Sequence, residues 1–160
     1  MAGWSSNAMK TDVLIRLYSE GMRDFSSVDL SGVDLHDVQL RGVKLSGADL
    51  ALANLQGADL SEAQLTDANL QGANLAGAKF HHADLSGADL SRSDLSNTNF
   101  AHANLTAAVL LGAVGEFSSD GAVFQQTINP AGNIIRGSKT PQTTWIDGNE
   151  VCLIAVVGIL

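Results

Sequence analysis

The chain has 160 residues, a net charge of −8 from 17 acids and 9 Lys or Arg, and an apolar content of 45% drawn mostly from Ala, Leu and Val. The acid excess argues against a general nucleic-acid binder, which needs a basic face, and suits a basic protein partner or simple solubility. With 16 Gly, 2 Pro, one Tyr, two Trp and five Phe, the core is expected to be narrow and regular rather than filled by large rings.

Residues 1–8 (MAGWSSNA) read as a tag or cloning scar, and Met9 as the native start. No signal peptide is visible. The single cysteine, Cys152, excludes an internal disulfide, and no Cys/His spacing suggests a structural zinc site. These features fit a reducing, cytoplasmic setting. Residues 9–25 form an N-terminal lead-in. Within it, 11–20 (TDVLIRLYSE) carries Leu14, Leu17 and Tyr18 at helical spacing, with Thr11 as the expected N-cap and Gly21 as the C-terminal stop.

From residue 28 to 110 an apolar residue recurs at every fifth position, from Leu30 and Leu35 through Phe80 and Phe100 to Leu110. Two residues before each stands a smaller one, Val at first and then mainly Ala. Between the two lies Asp or Asn in 12 of the 17 units. A period of five matches neither helix nor isolated strand; it marks a solenoid that turns one corner per unit. In an extended backbone, residues two apart share a side, so the small and large residues face inward and the polar one outward. Gly, common two residues after the large one, permits the corner.

The unbroken pattern fills residues 26–112. Beyond it, 113–136 is expected to form an irregular C-terminal cap, because a solenoid cannot leave its last core layer and backbone edge open. Ala122-Val123-Phe124 repeats the unit but falls 14 rather than 15 residues on, and Asn129-Pro130-Ala131-Gly132 reads as a turn. In the tail, 137–160, residues 143–146 and 150–157 flank Asp147-Gly148 as a plausible hairpin. The apolar run 151–160 (VCLIAVVGIL) is half the roughly 20 residues a membrane span needs, and reads as a buried strand or an interface.

The repeated A-(D/N)-L-x-x pattern over 28–110 resembles the pentapeptide-repeat family. The segment 17–25 (LYSEGMRDF) is similar to the leader of small cyanobacterial members, and 127–134 (TINPAGNI) to their ending. The resemblance implies an all-β solenoid, a right-handed quadrilateral β-helix with four units per coil. Seventeen units then make about four coils, with a short N-terminal capping helix and an irregular C-terminal cap. Residues 20 apart should stack. Leu40, Leu60, Phe80 and Phe100 form one core column, and Phe25 falls in register with Leu45.

No catalytic constellation and no cofactor site is recognisable, so the chain reads as non-enzymatic: a scaffold or protein-interaction module, monomeric or homodimeric, with an unidentified protein partner and no direct nucleic-acid contact. Two features compete with that reading. Asp29, Asp49 and Asp89 fall in one outward column and Asp34 and Asp94 in the next. Some family members that protect DNA gyrase from quinolones are acidic rods thought to imitate DNA, which makes a DNA-mimicking gyrase or topoisomerase modulator the alternative. Residues 28–110 carry ten acids and four Lys or Arg, whereas duplex DNA of ~20 Å carries roughly 12 charges. The rod has about half that charge density. The second feature is a column of Glu62, His82 and His102 with His81 beside it, the candidate metal-binding surface, although such polar residues ordinarily do no more than fill exposed positions.

Leu70→Asp places a charge in the central coil and is expected to cost more than ~4 kcal/mol. A thermal unfolding midpoint unchanged by this substitution would refute the inward placement of the large residue.

Overall fold

A backbone that bends every five residues must find a partner for each buried N–H at each bend. In the computed structural model, which describes residues 9–136, 143–146 and 149–152, the solution is a parallel ladder between residues 20 apart. Asp29 pairs with Asp49, Asp49 with Asn69 and Asn69 with Asp89, and the other three columns do likewise. Four units therefore complete one turn.

The unit 68–72 shows how the five N–H groups are used. Asn69 N–H donates back to Ala48 O at 3.0 Å, while Leu70 and Gly72 donate forward to Asp89 O at 2.7 Å and Ser91 O at 2.9 Å. Ala68 N–H closes the preceding corner on Leu65 O at 3.0 Å. The fifth, on Gln71, donates to the side-chain Oδ1 of Asn69 at 3.2 Å. This last bond recurs at every Asp or Asn in the middle position from Asp24 to Asn104. The outward-facing residue is thus the acceptor for its own corner, which accounts for the preference for Asp and Asn over other polar types.

Each corner also places one residue at positive φ. Gly fills many of these positions, but Leu52, Glu62, His82, Arg92, Ala107 and others adopt φ near +60° as well. None of the non-Gly residues there is Val, Ile or Thr, the types for which this conformation is most strained.

Inside, the large and small residues of the repeat are buried, apart from the half-buried Val38. Phe80 and Phe100 stack with ring centroids 5.3 Å apart and an interplanar angle of 16°, and Phe25 is buried in register, donating to Lys44 O at 2.8 Å. Where the small position is polar, it bonds within the core. Ser93 donates to Leu90 O at 2.7 Å and Thr98 to Leu75 O at 2.8 Å.

The ladder is longer than the unbroken repeat suggests. Rungs run from Asp24, paired with Lys44, to Ile128, paired with Val109, so the boundaries at 26 and 112 fall inside it. At about 20 residues per turn this is just over five turns rather than four, or roughly 25 Å at ~4.8 Å per rung. The slip before Ala122 has a local cause. Asn97 N–H donates to Glu116 O while Thr98 lies beneath Phe117, so the corner after Glu116 lacks the residue equivalent to Asn97. Rungs beyond it join residues 19 apart. In the same turn Gly115 stands where Leu95 would repeat, close against Ser96. The inward positions of the next unit are reversed, with Phe117 in the small place and Ser119 in the large one, both buried. Phe117 meets Phe100 edge to face at 5.4 Å.

At the N-terminal end, helix α1 (Thr11–Ser19) buries Leu14 and partly buries Leu17 and Tyr18. Thr11 does not cap it. Lys10 holds the N-cap position with no side-chain bond, and the Thr11 hydroxyl donates instead to Asp34 O at 2.7 Å. With Met9 N–H on Asp29 O and the Tyr18 hydroxyl on Arg41 O, both at 2.7 Å, it ties α1 to the first turn. Gly21 ends the helix as expected, at φ +99°, with Gly21 N–H on Tyr18 O and Met22 N–H on Leu17 O.

At the other end the expected irregular segment is more ordered. Strand β1 (Gln125–Ile128) pairs antiparallel with β2 (Ile134–Arg136) around the turn at Pro130. In the tail, β3 (Thr143–Ile146) pairs antiparallel with β4 (Asn149–Cys152), Ile146 opposite Asn149, while Asp147-Gly148 lie outside the described residues. The expected partner strand 150–157 therefore starts a residue earlier; its part beyond Cys152 lies outside the described residues, as does the segment 1–8.

Asn69→Ala removes the acceptor for Gln71 N–H and the Asn69 Nδ2 bond to Asp49 Oδ1 at 2.9 Å. It is expected to lower stability by about 1 kcal/mol. Gln64→Ala, at a middle position whose corner lacks this bond, should cost at most a few tenths; chemical denaturation of the two variants compares them.

Candidate interaction faces

The four ladders lay the middle side chains in four outward columns. The first candidate group comes together as expected, but not as a continuous strip of charge. Asp29 and Asp49 are ladder neighbours, yet Asn69 separates Asp49 from Asp89. Asn54 and Asn74 separate Asp34 from Asp94. The intervening amides are bonded to their neighbours: Asn54 Nδ2 donates to Asp34 Oδ1 at 2.8 Å, and Asn74 Nδ2 to Asn54 Oδ1 at 3.3 Å. In the remaining columns Lys44 follows Asp24 and Lys79 follows Asp59. Two carboxylates one rung apart repel, and Asp29–Asp49 is the one place in the repeat where the middle positions allow it.

The carboxylates are also engaged locally. Hydrogen bonds from Ser31 hold the Asp29 carboxyl below its usual range, and bonds from Ser26 do the same for Asp24. His36 lowers Asp34, its Nδ1 lying 2.9 Å from Oδ1, and is itself shifted up. Ser61 lowers Asp59. At Asp89 partial burial pushes upward, but bonds from Ser91 and Gln71 outweigh it.

The histidine column forms a cluster of rings. His82 and His102 stack at 5.0 Å, and His81 meets them edge to face at 4.1 and 5.4 Å. Glu62, expected to join them, accepts a hydrogen bond from Arg41 at Oε1, 2.6 Å. The spacing of 20 put Glu62 in the right column, but it carried no information about Arg41, 21 residues back and one rung away. Parallel stacked imidazoles do not point two nitrogens at one ion. Among the described residues no group of three His, Cys, Asp or Glu side chains is placed to hold a metal. Sequence reasoning also missed the corner-capping role of Asp and Asn, whose signal was their preference over Gln and Lys.

A ladder of this kind defines a repeat solenoid that displays side chains on flat faces. The chain matches the model of pentapeptide repeats, in eight copies, over residues 24–47, 34–72 and 83–114, and it belongs to that family. Its architecture is accordingly the right-handed β-helix. Among solved structures it is 23% identical to HetL, a pentapeptide repeat protein involved in heterocyst differentiation regulation from the cyanobacterium Nostoc sp. strain PCC 7120 (79% of this chain and 100% of that one, TM-score 0.36). It is 34% identical to the pentapeptide repeat protein alr5209 from Nostoc PCC 7120 (62% and 84%, TM-score 0.36). It is 17% identical to QnrB1, a plasmid-mediated fluoroquinolone resistance protein (65% and 64%, TM-score 0.41). No curated protein matches the sequence significantly. Among the described residues no helix is long and apolar enough to cross a membrane.

A carboxyl with a depressed pKa in the folded state stabilises the fold above its unfolded value, and that contribution is lost as pH falls through the folded one. The unfolding midpoint is therefore expected to decline below about pH 4. Asp59→Asn with Asp89→Asn keeps the corner acceptors while removing two of these titrations. The double variant should lose less stability on acidification than the parent, as read by thermal melts from pH 7 down to 3.

Proposed function

We propose that this chain is a non-enzymatic scaffold that presents the flat faces of its β-helix to a protein partner. In this reading residues 9–25 close the first turn, 26–112 supply most of the body, and 113–136 close the last turn. One observation carries it. The residues that the fold requires are inward or bonded to their own corners, while corner side chains such as His36, Leu52 and Arg92 project outward from a rigid lattice. Leu52, 74% exposed in the second turn, is the most exposed large apolar side chain among the described residues.

The gyrase-modulator reading is weaker, because the columns that would imitate phosphates are interrupted by Asn69, Asn54, Asn74, Lys44 and Lys79. Likeness to QnrB1 at this identity concerns the fold alone. The metal-surface reading is weaker still, since Glu62 is held by Arg41.

Gyrase supercoiling, with and without a quinolone, is expected to be unaffected by micromolar amounts of the chain. Inhibition of supercoiling, or protection from the drug, would overturn the scaffold reading. Affinity capture from host lysate should recover a protein whose retention falls when Leu52 is replaced by Asp.

A further inference from the structure

The one-residue slip in the last turn leaves an opening on the side of the rod. Along that edge the corner positions at positive φ are Asp37, Gly57, Gly77 and Asn97, one per turn. Asp37 lies against Gly57, and Gly57 against Gly77. Asn97 has no successor, because the next corner is made by Glu116 alone. Gly115 permits this: it runs so close to Ser96 that a Cβ there would meet the Ser96 backbone nitrogen. What remains above Asn97 is a notch of about 300 Å³, lined by Asn97, Thr98, Glu116, Phe117 and Ser118. That volume is at the lower end of the range for ligand sites and suits a single side chain.

The polar groups of the notch divide into those the fold uses and those it leaves over. Asn97 N–H donates to Glu116 O, the Thr98 hydroxyl to Leu75 O and the Ser118 hydroxyl to Asn99 Oδ1. The Asn97 amide and the Glu116 carboxylate have no hydrogen-bonding or ionic partner among the described residues, and both residues are exposed. Every Asn at a middle position from Asn54 to Asn104, by contrast, accepts a bond at its own corner. From residue 93 to 135 the chain carries Asp94, Glu116 and Asp120 but no Lys or Arg, so the notch sits in a stretch of uncompensated negative charge. We infer that the notch receives an Arg side chain from a basic segment of the protein partner; the inference rests on the scaffold reading for that partner. A guanidinium fork can donate to the Glu116 carboxylate and to Asn97 Oδ1 together, and it is less strongly hydrated than an ammonium. An anionic group would meet Glu116 with no counter-charge, and an apolar one would strip water from both leftover groups without replacing its bonds.

The test titrates acetyl-arginine methylamide into the isotope-labelled full chain and follows the backbone amide resonances. The largest shifts are expected at Asn97, Phe117 and Ser118, with a dissociation constant on the order of millimolar, as for one exposed charge pair with a supporting hydrogen bond. Acetyl-citrulline methylamide, the neutral isostere, should bind about fivefold or more weakly. Glu116→Gln keeps the backbone oxygen that Asn97 N–H needs and should weaken the arginine probe by the same factor. Asn97→Gly suits the corner's φ of +58°, removes the other leftover group and is also expected to weaken the probe. Asp49→Asn, in the one adjacent acidic pair, is the control and should leave binding unchanged. Dispersed amide spectra show that each variant is folded. Shifts spread evenly over the acidic residues, equal binding of the two probes, or a folded Glu116→Gln variant that binds as the parent does would each overturn the inference. The titration needs no host protein, so its failure strikes the notch alone, whereas a lysate capture that recovers nothing strikes the scaffold reading.

Discussion

The hydrogen bond from each corner N–H to the Asp or Asn side chain two residues before it is the constraint on which the rest of the structure rests. Three of the five N–H groups in a unit go to neighbouring turns and one closes a backbone corner, which leaves one without a main-chain acceptor. A side chain short enough to curl back onto its own backbone solves this locally, without borrowing from another turn. Asp and Asn do so; Gln39, Lys44, Gln64 and Lys79, with longer side chains, stand at corners without that bond. Because each unit completes its own corner, successive turns can stack without a hydrogen-bonding debt passing down the rod.

The same bond bears on how the acidic residues are understood. Counted as surface charge, they suggest an electrostatic device. Placed on the ladder, they are mostly corner acceptors, and the alternation with Asn keeps neighbouring carboxylates apart while retaining the acceptor. The distinction between Asp and Asn is then nearly neutral for the corner and consequential for repulsion along a column. Only Asp29 and Asp49 stand next to one another without an amide or a lysine between.

The period of five and the inward pair were legible from residues 28–110 because the core repeats without interruption, whereas the columns 20 apart and the Phe80–Phe100 stack followed only once the family resemblance supplied four units per turn. What was less legible lies where local geometry departs from the period. The absent corner residue after Glu116 hid the last turn, since a one-residue shortening displaces every later position while the rungs merely shift from 20 to 19. Thr11 has the chemistry of an N-cap, but its hydroxyl is taken by Asp34 O, a partner 23 residues away. Glu62 sat in the right column, but its Oε1 accepts a hydrogen bond from Arg41, 21 residues back. For Thr11 and Glu62 the partner is distant in sequence and adjacent in space.

The left-handed corner residues have one more consequence. Each turn carries them at fixed points on its outer edges, and they accept Asp, Ser, Arg, His, Gln, Leu or Ala as well as Gly, while β-branched types are absent. Because these side chains touch neither the core nor the ladder bonds, the rod separates the positions that encode its shape from those that encode its surface. Evolution can therefore rewrite what the protein recognises at its corners, within an alphabet limited by one backbone torsion and by the corner a turn away, since a Cβ at Gly57 would run into Asp37 Oδ1 and one at Gly87 into Asp67 Oδ1.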